Sequence, residues 1–165
     1  MPKTRKTICL GIDPGLTRVG YGLISKENGR LTYLASGLLP VPEPPHANQL
    51  VLIEKETVKI IKKFKPQIVA LEKIFFTVNK KTGLVVAQAR GVIVAAILKN
   101  KIRMIEISPS QIKKAVTGDG RASKKDVEKM MGFFLTLPAK KMIDDEIDAL
   151  AAAVAAIHNA AALDF

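Results

Sequence analysis

Four acids stand within five positions of "DDEIDALAAAVAA", at Asp144, Asp145, Glu146 and Asp148, directly ahead of a run of alanines. Two more carboxylates close short apolar segments: Asp13 ends "TICLGID" and Glu72 ends "QIVALE". Carboxylate oxygens are hard donors that suit Mg²⁺ or Mn²⁺. Two such ions about 4 Å apart can activate a water and stabilise the leaving oxygen in phosphodiester hydrolysis. Four carboxylates and two divalent ions also balance in charge. Each segment alone has a simpler reading. Acids in the first turn of a helix favour its dipole. Asp-Pro-Gly makes a turn, and a glutamate at a strand end is ordinarily solvated. The acids become a site only if the fold brings them together.

The elements that must do so are legible in outline. "TICLGID" (7–13) reads as a strand stopped by Pro14-Gly15. "VGYGLISKENGRLTYLASGLL" (19–39) reads as two strands joined at Asn28-Gly29, a strong hairpin signal. The first forty residues therefore predict a three-stranded antiparallel meander. "PVPEPPHANQ" (40–49) is a proline-rich loop. Leu50, Ile53, Val58, Ile61 and Phe64 carry helical spacing over 47–64, and Lys65-Pro66 ends that helix. A strand at 67–72, an apolar helix at 83–98 and a strand at 103–107 follow. A helix at 108–116 has Ser108 as cap and Pro109 in its first turn. Further helices are predicted at 123–137 and 144–161. This order gives an α/β fold with a mixed sheet, three antiparallel strands and then alternating helices and strands, with helices on both faces. The length suits one domain over 1–165.

Alternation along the first strand puts Ile8, Leu10 and Ile12 on one face and Cys9, Gly11 and Asp13 on the other. The second face is small enough for a helix to approach closely. On the last helix, Asp145, Asp148, Ala149, Ala152 and Ala156 share one side, and Ile143, Ile147, Leu150, Val154 and Ile157 form a separate stripe. The alanine side is expected on the sheet and the larger stripe on other helices. Two acids would then sit above Asp13. If the Glu72 strand lies beside the first, Asp13, Glu72, Asp145 and Asp148 converge at the carboxyl ends of the strands, where α/β sheets commonly bind ligands. Asp144 rivals Asp145, because positions four apart share a helix face; Asp144 is assigned to capping.

Bulk properties narrow the partner. Lys plus Arg number 26 against 15 acids, a net charge of +11 that favours a polyanion, nucleic acid ahead of a membrane surface. Apolar residues make up 48% and Trp is absent, so the core is aliphatic. Cys9 is the one cysteine, and His46 and His158 lie far apart, which leaves no disulfide framework and no Cys- or His-based zinc signature. The apolar stretch after "MPKTRK" is too short for a secretory segment. "LVVAQARGVIVAAIL" (84–98) is shorter than a membrane span and contains Gln88 and Arg90. A cytoplasmic protein without a membrane partner is expected.

"GIDPGLTRVGYGLI", "VALEKIFFTVNKKTGLVVAQARGVIVAAIL", "SPSQIKKAVTGDGRASKKDVEKMM" and "DDEIDALAAAVA" occur in an order and spacing that resemble the RuvC family, the bacterial Holliday junction resolvases of the ribonuclease H-like superfamily. The resemblance covers nearly the whole chain. It implies a ribonuclease H-like five-stranded mixed sheet and a Mg²⁺-dependent endonuclease, with Mn²⁺ able to serve and two ions per site. The family's acidic tetrad falls on Asp13, Glu72, Asp145 and Asp148. The resemblance also implies paired symmetric nicking of four-way junction DNA in recombination and repair, leaving 5′-phosphate and 3′-hydroxyl ends. It implies a homodimer through the 83–98 helix and docking of the branch-migration complex RuvA–RuvB. Its phosphate-contacting lysine is matched best by Lys124, with Lys125 beside it.

The remaining motifs fit that chemistry. Phe75 and Phe76 follow Glu72 in a Lys-bearing segment and suit base stacking; one is expected in the core, with Phe75 the exposed one. Lys113, Lys114, Arg121, Lys124 and Lys125 bracket the glycine turn "TGDGRAS", and Lys80, Lys81 and Arg90 follow the Glu72 loop. These cations are candidates for tracking phosphates, against the plain reading of a solvated basic face. The 83–98 helix is apolar nearly all round, which requires cover on every side. An actin- or sugar-kinase-like ATPase shares the "GIDPG" opening but needs a second such domain. A ribonuclease H-like nuclease for another branched DNA or RNA is the alternative.

Overall fold

A computed structural model describes residues 6–15, 17–41, 48–73 and 80–160, with the side chains of 80–82 outside the description. The strands are β1 (Thr7–Asp13), β2 (Gly20–Glu27), β3 (Arg30–Leu38), β4 (Ile68–Glu72) and β5 (Arg103–Ile107). The helices are α1 (Gln49–Phe64), α2 (Lys80–Lys99), α3 (Pro109–Thr117), α4 (Lys124–Phe134) and α5 (Asp144–Ala160). The strands form one five-stranded sheet in the order β3-β2-β1-β4-β5. β1, β2 and β3 pair antiparallel, and β4 and β5 add to β1 in parallel. The expected mixed sheet is therefore present, with β1 at its centre.

Local chemistry explains the joints. Asn28 and Gly29 both take positive φ, 53° and 79°, which a tight hairpin needs to match strand twist. Lys65 closes α1 in a left-handed conformation and donates its N–H to Ile61 O, one residue before Pro66. Ser108 and Gln111 cap α3 reciprocally, with Pro109 in the first turn. Thr57, where the spacing pointed to Val58, is buried in α1; its hydroxyl donates to Ile53 O at 2.7 Å, which removes the cost of burying it. α4 stops at Phe134, short of the expected Leu137, because Leu135 is already extended and Pro138 follows.

Two cores sandwich the sheet. Leu10, Ile12, Val69 and Leu71 pack with Ile53 of α1 and Ile93 of α2 on one face. Cys9, Ile68 and Ala70 pack with α3, α4 and α5 on the other. The second face is where small residues matter. A Cβ on Gly11 would lie 1.8 Å from Ala149 O, and one on Gly20 would lie 2.2 Å from Asp145 O. The division of α5 into an alanine face and a separate larger stripe does not hold. A Cβ on Gly22 would lie 2.6 Å from Leu150 Cγ, so Leu150 stands on the sheet rather than against helices. The reason is in the register: Gly11 and Gly22 are paired across β1 and β2, so where Gly11 admits the backbone of Ala149, its neighbour Gly22 leaves room for the side chain of Leu150.

Gly11→Ala is expected to destabilise the protein by about 3 kcal/mol or more, because the clash is with helix backbone that cannot rotate away. Gly132→Ala in α4, where a Cβ meets nothing within 4 Å, is expected to stabilise by up to about 1 kcal/mol. Denaturant unfolding of both variants checks this contrast.

Candidate active site

The register of β1 and β4 places two acids side by side. Ile12 pairs with Leu71, so Asp13 and Glu72 are the next residue of each strand. Both belong to the face covered by α5, in sequence alternation with Cys9 and Gly11 on one strand and Ile68 and Ala70 on the other. Gly20 is the β2 partner of Asp13, and the start of α5 lies directly on it. The helix thereby delivers Asp145 and Asp148 to the same end of the sheet.

Electrostatics show how close this gathering is. Burial, then repulsion from Glu72, Asp148 and Asp145, pushes the Asp13 carboxyl from 3.8 up to about 7. Burial and Asp148 raise Glu72. Burial raises Asp148, with Asp144 and Asp145 adding to the effect against the Lys124 ammonium. Asp145 adds to the repulsion on Asp13, while Asp144 and Asp145 both add to it on Asp148. Asp144 is the first residue of α5, with a carboxylate 75% exposed and 3.2 Å from Lys124 Nζ.

Cations occupy part of the cluster. Lys124 Nζ donates to Asp148 Oδ2 at 3.1 Å, and Arg18 pairs with Asp145. Among the described residues no three acidic, histidine or cysteine side chains stand close enough to hold an ion as they are oriented. The donor chemistry nevertheless fits a hard divalent cation: four carboxylates whose mutual repulsion at Asp13 and Glu72 the Lys124 ammonium only partly offsets. Next to the acids lies a cavity of about 250 Å³ bordered by Glu72, Asp148, Lys113 and Lys124, with Ile112 and Val127 in its apolar lining.

The other expected residues divide. Lys114, Arg121 and Lys125 are exposed around the α3–α4 turn. Arg90 pairs with Glu106 and is mostly covered, so it does not stand free on a basic rim. Phe75 and Phe76 lie outside the described residues, and Lys80 and Lys81 are described in backbone only. The sequence reading missed Arg18, which carries no local signal in its loop. It also missed Glu146, 3% exposed in α5. Spacing could have found the latter, since Glu146 lies one turn before Leu150 on the side that faces the sheet.

Residues 9–158 match the family described as crossover junction endodeoxyribonuclease RuvC. The chain belongs to the RuvC family. It is 39% identical over 153 residues to the RuvC of Pelotomaculum thermopropionicum, covering 92% of this chain and 93% of that one. It is 41% identical over 153 residues to the RuvC of Heliobacterium modesticaldum, covering 92% and 94%. The structure superposes on Thermus thermophilus RuvC in complex with Holliday junction substrate with a TM-score of 0.85, at 26% identity, covering 93% of this chain and 94% of that one. RuvC proteins are metal-dependent nucleases, in keeping with the carboxylate cluster. Among the described residues no helix is long and apolar enough to cross a membrane.

The Asp13 shift has a thermodynamic consequence. Its folded pKa of about 7 exceeds its unfolded 3.8, so the folded state holds the extra proton between those values and loses stability as pH rises through 7. Without divalent ions, Asp13→Asn is expected to melt about 2–4 °C above the parent at pH 8, and the gain is expected to vanish near pH 4. Thermal melts at the two pH values check this; an unchanged or lower Tm at pH 8 contradicts it.

Proposed function

We propose that this chain resolves Holliday junctions, nicking a symmetric pair of DNA strands by phosphodiester hydrolysis at the Asp13–Glu72–Asp145–Asp148 cluster. One observation carries the reading: two adjacent parallel strands end in neighbouring carboxylates directly beneath the acidic start of α5. The four side chains would hold Mg²⁺, with Mn²⁺ as a substitute, and their charge suits two ions. When bound, such ions supply a nucleophile near neutral pH and offset charge on the leaving oxygen.

The chain's own residues do the rest. Asp13, raised to about 7, and its neighbours bind and orient the ions where the scissile phosphate arrives. Lys124, already within hydrogen-bond reach of Asp148, is placed to meet a phosphate oxygen and steady its charge. Lys113 at the cavity edge, with Lys114, Arg121, Lys125, Lys80 and Lys81, would follow the backbone of the arms. Phe75 would stack on an unpaired base. Arg90 is engaged by Glu106, which makes it a weaker candidate for meeting DNA than the exposed cations. In-line attack by water leaves 5′-phosphate and 3′-hydroxyl ends.

Paired cutting needs two sites, and α2 supports a homodimer. Leu84, Gly91 and Leu98 recur every seven residues on its exposed side, with the two leucines 62% and 58% exposed. That spacing is a helix-packing stripe, and a glycine at its centre lets a second helix come close. A two-fold dimer matches the near two-fold symmetry of a four-way junction. A cytoplasmic setting and docking with branch-migration proteins go with this role.

In a Mg²⁺ assay on four-way junctions, the parent is expected to give symmetric ligatable nicks. Asp13→Asn is expected to abolish them and keep junction binding. Affinity should fall with salt, with a log–log slope near −0.9 per phosphate neutralised, about −4 or steeper for the lysines named. Retained cleavage by Asp13→Asn, or equal cleavage of plain duplexes, contradicts the reading.

A further inference from the structure

The α5 seam interlocks by shape only part-way along: Leu150 is set against Gly22, while Gly11 meets the backbone of Ala149 and Gly20, at the acidic end, meets only the backbone and Cβ of Asp145. The first turn of the helix, ahead of Leu150, can therefore shift or turn. One residue of slip is 1.5 Å along the axis and 100° about it, enough to carry Asp145 and Asp148 away from Asp13 and Glu72. Something must hold the register.

Ile143 precedes the first residue of α5 and has no side-chain oxygen with which to cap it. Glu146, in the first turn, supplies the holding contacts instead. Its Oε2 accepts from the backbone N–H of Ile143 at 3.1 Å. Its Oε1 accepts from Ser36 Oγ of β3 at 2.9 Å and from Lys140 Nζ at 2.8 Å. Tyr33 Oη extends the chain to Ser36 at 3.1 Å. One buried carboxylate thus ties the helix start to the far strand of the sheet and to the segment before the helix. It sits between Asp145 and Asp148 in sequence, on the side that faces the sheet.

We propose that Glu146 is a positioning residue that pins the register of α5, and so sets the divalent-ion affinity of the acidic cluster without touching ion or substrate. The inference rests on the metal-site reading above. Buried ionic groups add little net stability and often gain from apolar replacement, yet they can specify one arrangement among several. Register and stability therefore separate here. A purely structural role would make ion affinity and thermal stability fall together.

The test uses the full chain in metal-free form, with Mn²⁺ binding read by electron paramagnetic resonance and folding by thermal melts. The double variant Ser36→Ala/Glu146→Leu removes the buried charge together with the hydroxyl partner from β3. It is expected to melt within a few degrees of the parent and to lose about tenfold in Mn²⁺ affinity. Glu146→Gln keeps the shape and an acceptor for Ser36, and is expected to show a smaller loss of the same sign. It carries the test if the double variant fails to fold. Asp13→Asn is the reference: it should remove the Mn²⁺ site. Parent-like Mn²⁺ affinity in both Glu146 variants overturns the register role alone. Mn²⁺ affinity indifferent to Asp13→Asn overturns the metal-site reading and this inference with it.

Discussion

Everything at the site depends on how near α5 can come to the sheet. Side chains on β1 and β2 would hold a helix at the usual distance, and the acids at its start would then stand above solvent. Gly11, Gly20 and Gly22 remove that spacing, so backbone atoms of Ala149 and Asp145 occupy the volume where a Cβ would be. Close approach also lowers the local dielectric around the strand ends. The burial that raises Asp13, Glu72 and Asp148 is a consequence of the same seam.

Packing four carboxylates into one place costs stability, and the fold meets this cost in two ways. Lys124 reaches back from the first turn of α4 to Asp148, and Arg18 takes Asp145. Asp13 and Glu72 are left with raised pKa values, the condition in which a divalent ion brings the greatest relief. The basic excess of the chain then has a clear division of labour. A few cations neutralise acids inside the site, and others lie exposed around the α3–α4 turn where a phosphate backbone can be met. A RuvC-family protein must bind a polyanion with a cluster of its own anions at the centre, and the arrangement answers that conflict.

Much of this was readable from residues alone, for reasons of physics. Strand alternation over "TICLGID" correctly separated Leu10 and Ile12 from Cys9 and Gly11, because a sheet buried on both faces sorts them into two cores. Asn28-Gly29 located the hairpin because few other pairs accept two positive φ angles. The placement of Leu150 was not readable. Helical periodicity groups residues by angle, and it cannot see that a glycine on the facing strand, Gly22, leaves room for one leucine. The contacts of Arg18 with Asp145 and of Ser36 with Glu146 were hidden for a related reason: they join segments more than a hundred residues apart. Arg90 counts as a candidate phosphate contact on sequence alone because the sequence shows its charge but not the Glu106 that engages it.

The central claim is that carboxylates from two strand ends and one helix form a single divalent-ion centre. Crystals of the protein soaked in Mn²⁺ test it most directly, through anomalous scattering at the manganese edge. The account predicts manganese bound by Asp13 together with Glu72 and by at least one of Asp145 and Asp148. Manganese ordered only at other acids, or Asp13 and Asp148 facing separate cavities with no shared ion, would contradict it.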